Sequence, residues 1–488
     1  MQKISIDPIT RLEGHGKIDV FVDEQGNVAN AYLLIPELRG FEKFAEGRPV
    51  EEMPRITPRI CGVCPEAHHL ASAKAADAVY HVEVPPAGKK LRELFYSAFF
   101  VADHTVHFYI LGAPDFVLGP DAHPAERNIL GLIHKVGLEI GGRVIRCRGL
   151  AMDIIGTLGG KTIHPVCAIP GGMSKAINEE ERARFEATAR EEVDFALFSL
   201  QVLRDLVLSN KAYVDMILSD AYTMPTYYMG MVDDNNKVNF YDGKVRVVDP
   251  EGKEFVKYSP EEYLDVVAEH VEPWTYLKFP YLKEVGWKGF VTGKESGVYQ
   301  ATPLSRLNAA DGMATPCAQE AYEEFYHTLG GKPVHHTLAA HWARLIELLY
   351  AAERLLELST DPEITDPRVR AIPTEKPTEG VGIVEAPRGT LTHHFITDEK
   401  GIVKKANLIV GTTNNYAPIS IAIKKAAQSL IKQGQVVTEG TLNRVEMAFR
   451  SYDPCFGCAT HTLPGQMPLE LRIRDTEGNV LEVVKRGL

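Results

Sequence analysis

The sequence predicts an α+β protein: one large, mostly helical unit carrying peripheral β hairpins. Three observations support this. Long helical patterns recur between Ala67 and Ser451. Short alternating stretches come in pairs around Asp-, Gly- and Asn-containing turns. No internal repeat or low-complexity segment divides the 488 residues, although that length would allow three domains.

In chain order, Lys3–Ile6 alternates, and Lys17–Val22 and Val28–Leu34 flank the turn Asp23–Asn27. Ala67–Tyr80 is alanine-rich and helical, with Pro65 suited to a first helical position. Pro85-Pro86 interrupts, and Lys89–Leu111 reads as a long buried helix stopped by Gly112 and Pro114. Leu138–Leu158 and Lys175–Ser209 are further long helices. From Tyr228 to Lys257 the turns Asp242-Gly243 and Asp249–Gly252 mark a small β insert, residues 228–258. Helices return at Cys317–Leu329 and Val334–Ser359, followed by the connector Ile372–Thr378. Thr390–Ile396 and Ile402–Ile409 form a hairpin, and Ser420–Gln433 and Thr441–Ser451 are helical. Leu469–Arg474 and Val480–Val484 make a last hairpin.

Composition narrows the function. Hydrophobic residues are 45% and charged residues 24%, as in globular proteins with a sizeable core. The net charge of -12 with no basic block argues against nucleic acid and anionic membrane surfaces. No apolar run is long enough to span a bilayer, and the N-terminal residues lack a signal-peptide core. A cytoplasmic location is expected.

Seven cysteines are too few for a disulfide scaffold, but four form two C-x-x-C pairs, Cys61/Cys64 and Cys455/Cys458. Two such turns supply four thiolates, which suit zinc, iron–sulfur, copper(I) or nickel. A zinc ribbon places its pairs about 15–20 residues apart; here they lie at opposite ends of the chain. Arg59 and His68 flank the first pair, and Asp453 and His461 the second. A structural zinc site needs none of these. Cys147, Cys167 and Cys317 read as small buried groups, and His335-His336 and His393-His394 as hydrogen-bonding residues.

R-x-C-G-x-C-x-x-x-H, met at Arg59–His68, with D-P-C-x-x-C-x-x-H, met at Asp453–His461, resembles the large, catalytic subunit of nickel–iron hydrogenases. Further matches follow in the family's order: Arg11–His15, Arg39–Glu42, Asp103-His104 with His107–Tyr109, Gly159–Gly172 and Glu385–Gly389. The Arg-Gly-Phe-Glu element and short loops resemble the cytoplasmic multi-subunit branch, of the methyl-viologen-reducing or NAD- or cofactor-coupled type. Two other readings stand beside this one: a complex I-like quinone-site subunit of the same fold, usually lacking the cysteines, and a zinc-stapled non-catalytic scaffold.

The resemblance implies a helical bundle with both cysteine motifs at its centre. It implies reversible heterolytic cleavage of H2 at nickel joined to an iron with one CO and two cyanides. Cys61 and Cys455 would be terminal nickel ligands, and Cys64 and Cys458 would bridge. Cys455 would take the proton first and Glu13 relay it. Outside the motif, Glu13 would read as a surface carboxylate or a capping partner. Arg388, fixed by Asp103 and Asp453 and preceded by Pro387, would lie over the metals; a purely structural ion pair is the alternative. Glu42 and His461 would bind a second metal, magnesium. Thr412 and Thr413 match a cyanide-contacting pair, with Gly411 departing from the family's usual proline.

The resemblance also implies a catalytic domain of residues 1–461 and a C-terminal extension, 462–488, removed by a maturation endopeptidase after nickel-insertion proteins have acted. No third C-x-x-C pair, iron–sulfur spacing or G-x-G-x-x-G element is present. Electrons would therefore pass to an iron–sulfur small subunit, then to further electron-transfer subunits.

Overall fold

The computed structural model describes residues 2–7, 9–35, 40–272, 275–459, 469–474 and 480–486. Its core is a helical bundle. Helix α1 (Pro65–Val79) follows directly on Cys64, with Pro65 in its first turn and Cys64 as its N-cap. Helix α2 (Pro86–Val106) continues into a π-helical turn, His107–Gly112. Helix α3 (Leu138–Gly159) ends at Gly160, and α4 (Glu179–Leu203) starts at a capping box in which Asn178 and Glu181 satisfy each other's backbone N–H. That box moves the start inward from the expected Lys175. Helix α5 (Ala340–Thr360) has Ala343, Leu345, Ile346, Leu348 and Leu349 fully buried, as expected of a central helix packed on several sides. It packs against both α2 and α4.

The strands form separate small sheets. β1 (Gln2–Ile6), β2 (Lys17–Val22) and β3 (Val28–Leu34) make an antiparallel sheet in that order. The expected insert is a sheet of β4 (Tyr227–Val232), β5 (Lys244–Val248) and β6 (Glu254–Tyr258), joined in parallel by the short strand β9 (Tyr299–Gln300). The pair β7 (Val267–Val271) and β8 (Lys278–Leu282) is not evident from periodicity.

The expected hairpin at 390–409 is a three-stranded antiparallel sheet, β10 (Glu379–Ala386), β11 (Gly389–Thr397) and β12 (Val403–Ile409), with β11 central. β10 escapes a periodicity reading because Gly380 and Gly382 break the strand pattern. The glycines serve packing. A Cβ at Gly382 would stand 2.2 Å from the Ala71 carbonyl oxygen, so the strand lies directly against the alanine face of α1. This sheet is buried within the molecule, and its β10–β11 turn, with Ala386 paired to Gly389, carries Pro387 and Arg388 inward.

Helices α6 (Tyr416–Leu430) and α7 (Glu439–Arg450) lead to Cys455 and the one-turn helix α8 (Phe456–Ala459). Beyond it, Leu469–Arg474 pairs with Val480–Arg486 as the turn pattern predicts. No helix among the described residues is long and apolar enough to cross a membrane.

Candidate metal centre

The two ends of the chain meet at the cysteines. The extended Cys61 ends a 3-10 turn, and Cys64 caps α1. Glu13 and Cys455 form an isolated parallel β-bridge, with the Phe456 N–H donating to the Glu13 carbonyl at 3.1 Å. The ligand-capable atoms of Cys61, Cys64 and Cys455 lie within 4.8 Å of one another, and all three residues are buried. The sulfurs of Cys61 and Cys455 are 3.2 Å apart, with no disulfide between them. Converging soft donors without a disulfide fit a thiophilic metal such as nickel. Cys458 lies on α8; its side chain, Arg39 and His461 fall outside the described residues.

Glu13 is set against the sulfur. Its Oε2 lies 2.9 Å from Cys455 Sγ and accepts the Gly457 N–H, also at 2.9 Å. The loop is pinned by Arg11, whose guanidinium donates to Asp115 and to the Leu111 carbonyl. Thr412 accepts the Cys455 N–H at 3.1 Å, so this threonine holds the cysteine turn itself. Thr413 is buried beside it. Gly411 has a local reason to be glycine: a Cβ there would stand 3.1 Å from the backbone N and O of Gly389.

Arg388 is buried and ion-paired at both terminal nitrogens, to Asp103 at 3.0 Å and to Asp453 at 2.9 Å. Burial alone would lower its pKa, but Asp103 and Asp453 raise it well above the ordinary value, so it stays charged. Cys455 and Cys64 add to that field. Burial raises the Asp103 pKa and Arg388 opposes the rise. Among the described residues, Arg388 Nε and Asp103 Oδ1 have no hydrogen-bond partner, as expected of groups facing a centre that protein atoms do not fill.

His107 opens the π-helical turn, with Nδ1 2.9 Å from Asp453. Burial pulls its pKa well below the ordinary value, so it is a neutral imidazole, stacked on His341. His341, Arg306, Glu347 and Glu66 also belong to this region and escape motif reading. The available signal was a charged group inside an apolar run, as at Glu347 in Leu345–Leu349. Glu66 is buried in the first turn of α1, and burial pushes its carboxyl up to about 8.

Glu42 lies apart from the thiol cluster. Its Oε1 accepts the Leu408 N–H at 2.9 Å, and both its oxygens lie 3.2 Å from Lys278 Nζ, which also approaches Glu269 at 3.4 Å. Two carboxylates share one ammonium, and Glu269 Oε1 is buried without a partner among the described residues. That excess of oxygen and negative charge fits a hard cation. Cys147 and Cys167 are buried and Cys317 is partly so; burial pushes the first two thiols up to about 12. His393 and His394 are buried hydrogen-bonding residues.

The chain matches the nickel-dependent hydrogenase family over residues 39–134 and 124–461. A HoxL-like family matches residues 3–38. An F420-non-reducing hydrogenase iron-sulfur subunit of Archaeoglobus profundus is 51% identical, across 99% of this chain and 100% of that one. The NAD-reducing hydrogenase HoxS subunit beta of Cupriavidus necator is 38% identical, across 99% of each chain. A solved NAD+-reducing NiFe hydrogenase in its H2-reduced state superposes with a TM-score of 0.88 at 36% identity, covering 94% of this chain and 100% of that one. None of these favours the quinone-site or zinc-scaffold reading. Matched over nearly its whole length, the protein belongs to the nickel-dependent hydrogenases, as a large subunit.

Proposed function

We propose that this hydrogenase subunit splits H2 heterolytically at a nickel–iron centre held by Cys61, Cys64, Cys455 and Cys458, with Glu13 receiving the proton. The observation that carries the reading is the 2.9 Å approach of Glu13 Oε2 to Cys455 Sγ within the converged thiols. When bound, nickel and an iron bearing one CO and two cyanides would activate H2 and take up its electrons. Cys455 Sγ holds the proton first. It passes to Glu13 Oε2, which the Gly457 N–H keeps in place. Arg388, clamped by Asp103 and Asp453, keeps a fixed positive charge beside the thiolates, and Pro387 sets the turn before it. Thr412 and Thr413 are both buried, Thr412 against the Cys455 N–H, and suit a cyanide contact.

Glu42 and His461 are the proposed magnesium ligands, supported by the carboxylate excess around Lys278. We further propose a catalytic domain of residues 1–461 with its β insert at 228–258, and removal of 462–488 by an endopeptidase once nickel-insertion proteins have acted. The family match ends at residue 461, which supports that boundary. Electrons would leave beside Gly62 and Val63. These exposed residues, with Val63 38% accessible, separate two buried cysteines and suit contact with an iron–sulfur small subunit, beyond which further electron-transfer subunits would follow. A cytoplasmic setting agrees with the unbridged thiols of Cys147, Cys167 and Cys317.

The test is metal analysis with infrared spectroscopy on the purified complex. Nickel and iron in equal amounts, with bands in the CO and cyanide stretching region, are expected. Zinc alone, or no such bands in an H2-active preparation, would overturn the reading.

A further inference from the structure

The β10–β11 turn that carries Arg388 brings three backbone carbonyls into a region where they are buried. Each needs a donor from the protein. Asn415 Nδ2 donates to the Arg388 carbonyl at 2.8 Å. The other two, Ala386 and Pro387, accept from Arg306 at 2.8 and 3.2 Å. Arg306 is fully buried in the short helix Pro303–Ala309. Its remaining N–H groups go to carboxylates: Nε and Nη2 to Glu347 at 2.6 and 2.7 Å, and Nη1 to Glu385 at 2.9 Å. All five donors of the guanidinium are therefore used, on rigid partners.

Glu347 completes a circuit. Its Oε2 lies 2.9 Å from His104 Nε2, and His104 is the neighbour of Asp103 on α2. Burial keeps His104 below its ordinary pKa, so it is a neutral donor through Nε2. Burial would raise the Glu347 pKa, but Arg306 and His104 hold it below the usual value, so it remains an anion. Glu385 receives the Met231 N–H and the Thr390 hydroxyl as well, which ties the same cluster to β4.

We propose that Arg306 is a positioning residue for hydrogen splitting: one buried guanidinium fixes the turn that presents Arg388 and, through Glu347 and His104, the helix segment that presents Asp103. The two partners of the Arg388–Asp103 ion pair stand on α2 and the β10–β11 turn, far apart in sequence. Arg306 and Glu347 link these elements from behind, without touching either partner's charged group. A lysine could not replace this link. Its three donors radiate from one atom, whereas Arg306 spreads five along a planar fork between two carboxylates and two carbonyls.

This inference rests on the proposed role of Arg388, and the test separates the two. Arg306→Lys, Arg388→Lys and the double variant are made in the complete complex with its partner subunits. Each is measured for nickel content, thermal unfolding and hydrogen–deuterium exchange. Arg306→Lys is expected to keep nickel and to exchange about 10- to 100-fold more slowly, the cost of a misplacement near 1 Å. The double variant is expected to be no slower than Arg388→Lys alone, because Arg306 acts through Arg388. Wild-type exchange in Arg306→Lys, or losses that multiply in the double variant, would overturn the inference. Wild-type exchange in Arg388→Lys would instead overturn the role of Arg388. Should Arg306→Lys not assemble, Glu347→Gln enters the same cycle, since it keeps size and packing and weakens only one side of the grip. An additive loss there refutes the inference equally.

Discussion

Replacing Glu13 by glutamine separates proton transfer from architecture more cleanly than any other change at this site. One oxygen, Oε2, makes both contacts, to Cys455 Sγ and to the Gly457 N–H. The Gly457 N–H can only donate, so the glutamine must turn its carbonyl oxygen to that position, and the sulfur then faces an amide oxygen. The shape and the backbone hydrogen bond survive. What is lost is a base that can accept a proton from sulfur. The structural cost is the difference between a charge-assisted and a neutral hydrogen bond, about 1 kcal/mol. The catalytic cost is that of a missing general base, about 10²- to 10⁴-fold, or about 3–5 kcal/mol of barrier. Glu13→Gln should therefore retain nickel, unfold within a few degrees of the parent, and lose at least about 100-fold in hydrogen–deuterium exchange. Mass-spectrometric exchange on metal-replete enzyme is the assay. An exchange rate within a factor of three of the parent would refute the assignment and send the proton by another path.

The same geometry yields four further predictions. Cys64→Ser should lose nickel and activity together, because a harder donor replaces a thiolate; full nickel content by elemental analysis would contradict the ligand assignment. Arg388→Lys should keep the metals and lose turnover by about two orders of magnitude, since one ammonium cannot span Asp103 and Asp453; near-parental turnover would leave Arg388 an architectural role. His69 provides a pH prediction. Its Nδ1 lies against the Pro54 carbonyl and its Nε2 accepts the Ala168 N–H, so a second proton would set donor against donor. Burial lowers its pKa from 6.5 to about 4, so the stability it contributes is full above about 6.5 and is lost as pH falls through about 4, at most about 3 kcal/mol. A His69→Gln variant whose melting temperature falls as steeply as the parent's between pH 6.5 and 4 would refute this. Finally, intact-mass measurement on active protein should show a chain ending at His461; a fully active, nickel-replete chain ending at Leu488 would refute removal of the tail.

Much of the site was legible because its chemistry is confined to short motifs. Cys61, Cys64 and Cys455 were identifiable from the C-x-x-C pairs, and the structure brings these three together. Asp103 is a charge within the buried helical run Lys89–Leu111, and the family resemblance supplied its partner Arg388, which the structure pairs with it at 3.0 Å. Helices α1 and α2 were evident from composition and from Pro65, Pro85 and Pro86. The strand β10 was hidden by Gly380 and Gly382, which are chosen for close approach to α1 rather than for strand propensity. The π-helical turn at His107–Gly112 has no periodicity signal, yet it sets His107 beside Asp453.

By itself the sequence determined the thiol set, the helical bulk and the turn chemistry, since each depends on residues adjacent in the chain. The tertiary structure alone decided which lone charges meet. Nothing local to Arg306, Glu347 or His104 says which partner each will meet; they become a network only when α2, α5 and the β10–β11 turn pack together. The physical reason is desolvation. Motif chemistry is local, but a buried charge must find its partner wherever the fold places one, and Arg306 finds Glu347 and Glu385 on two different elements.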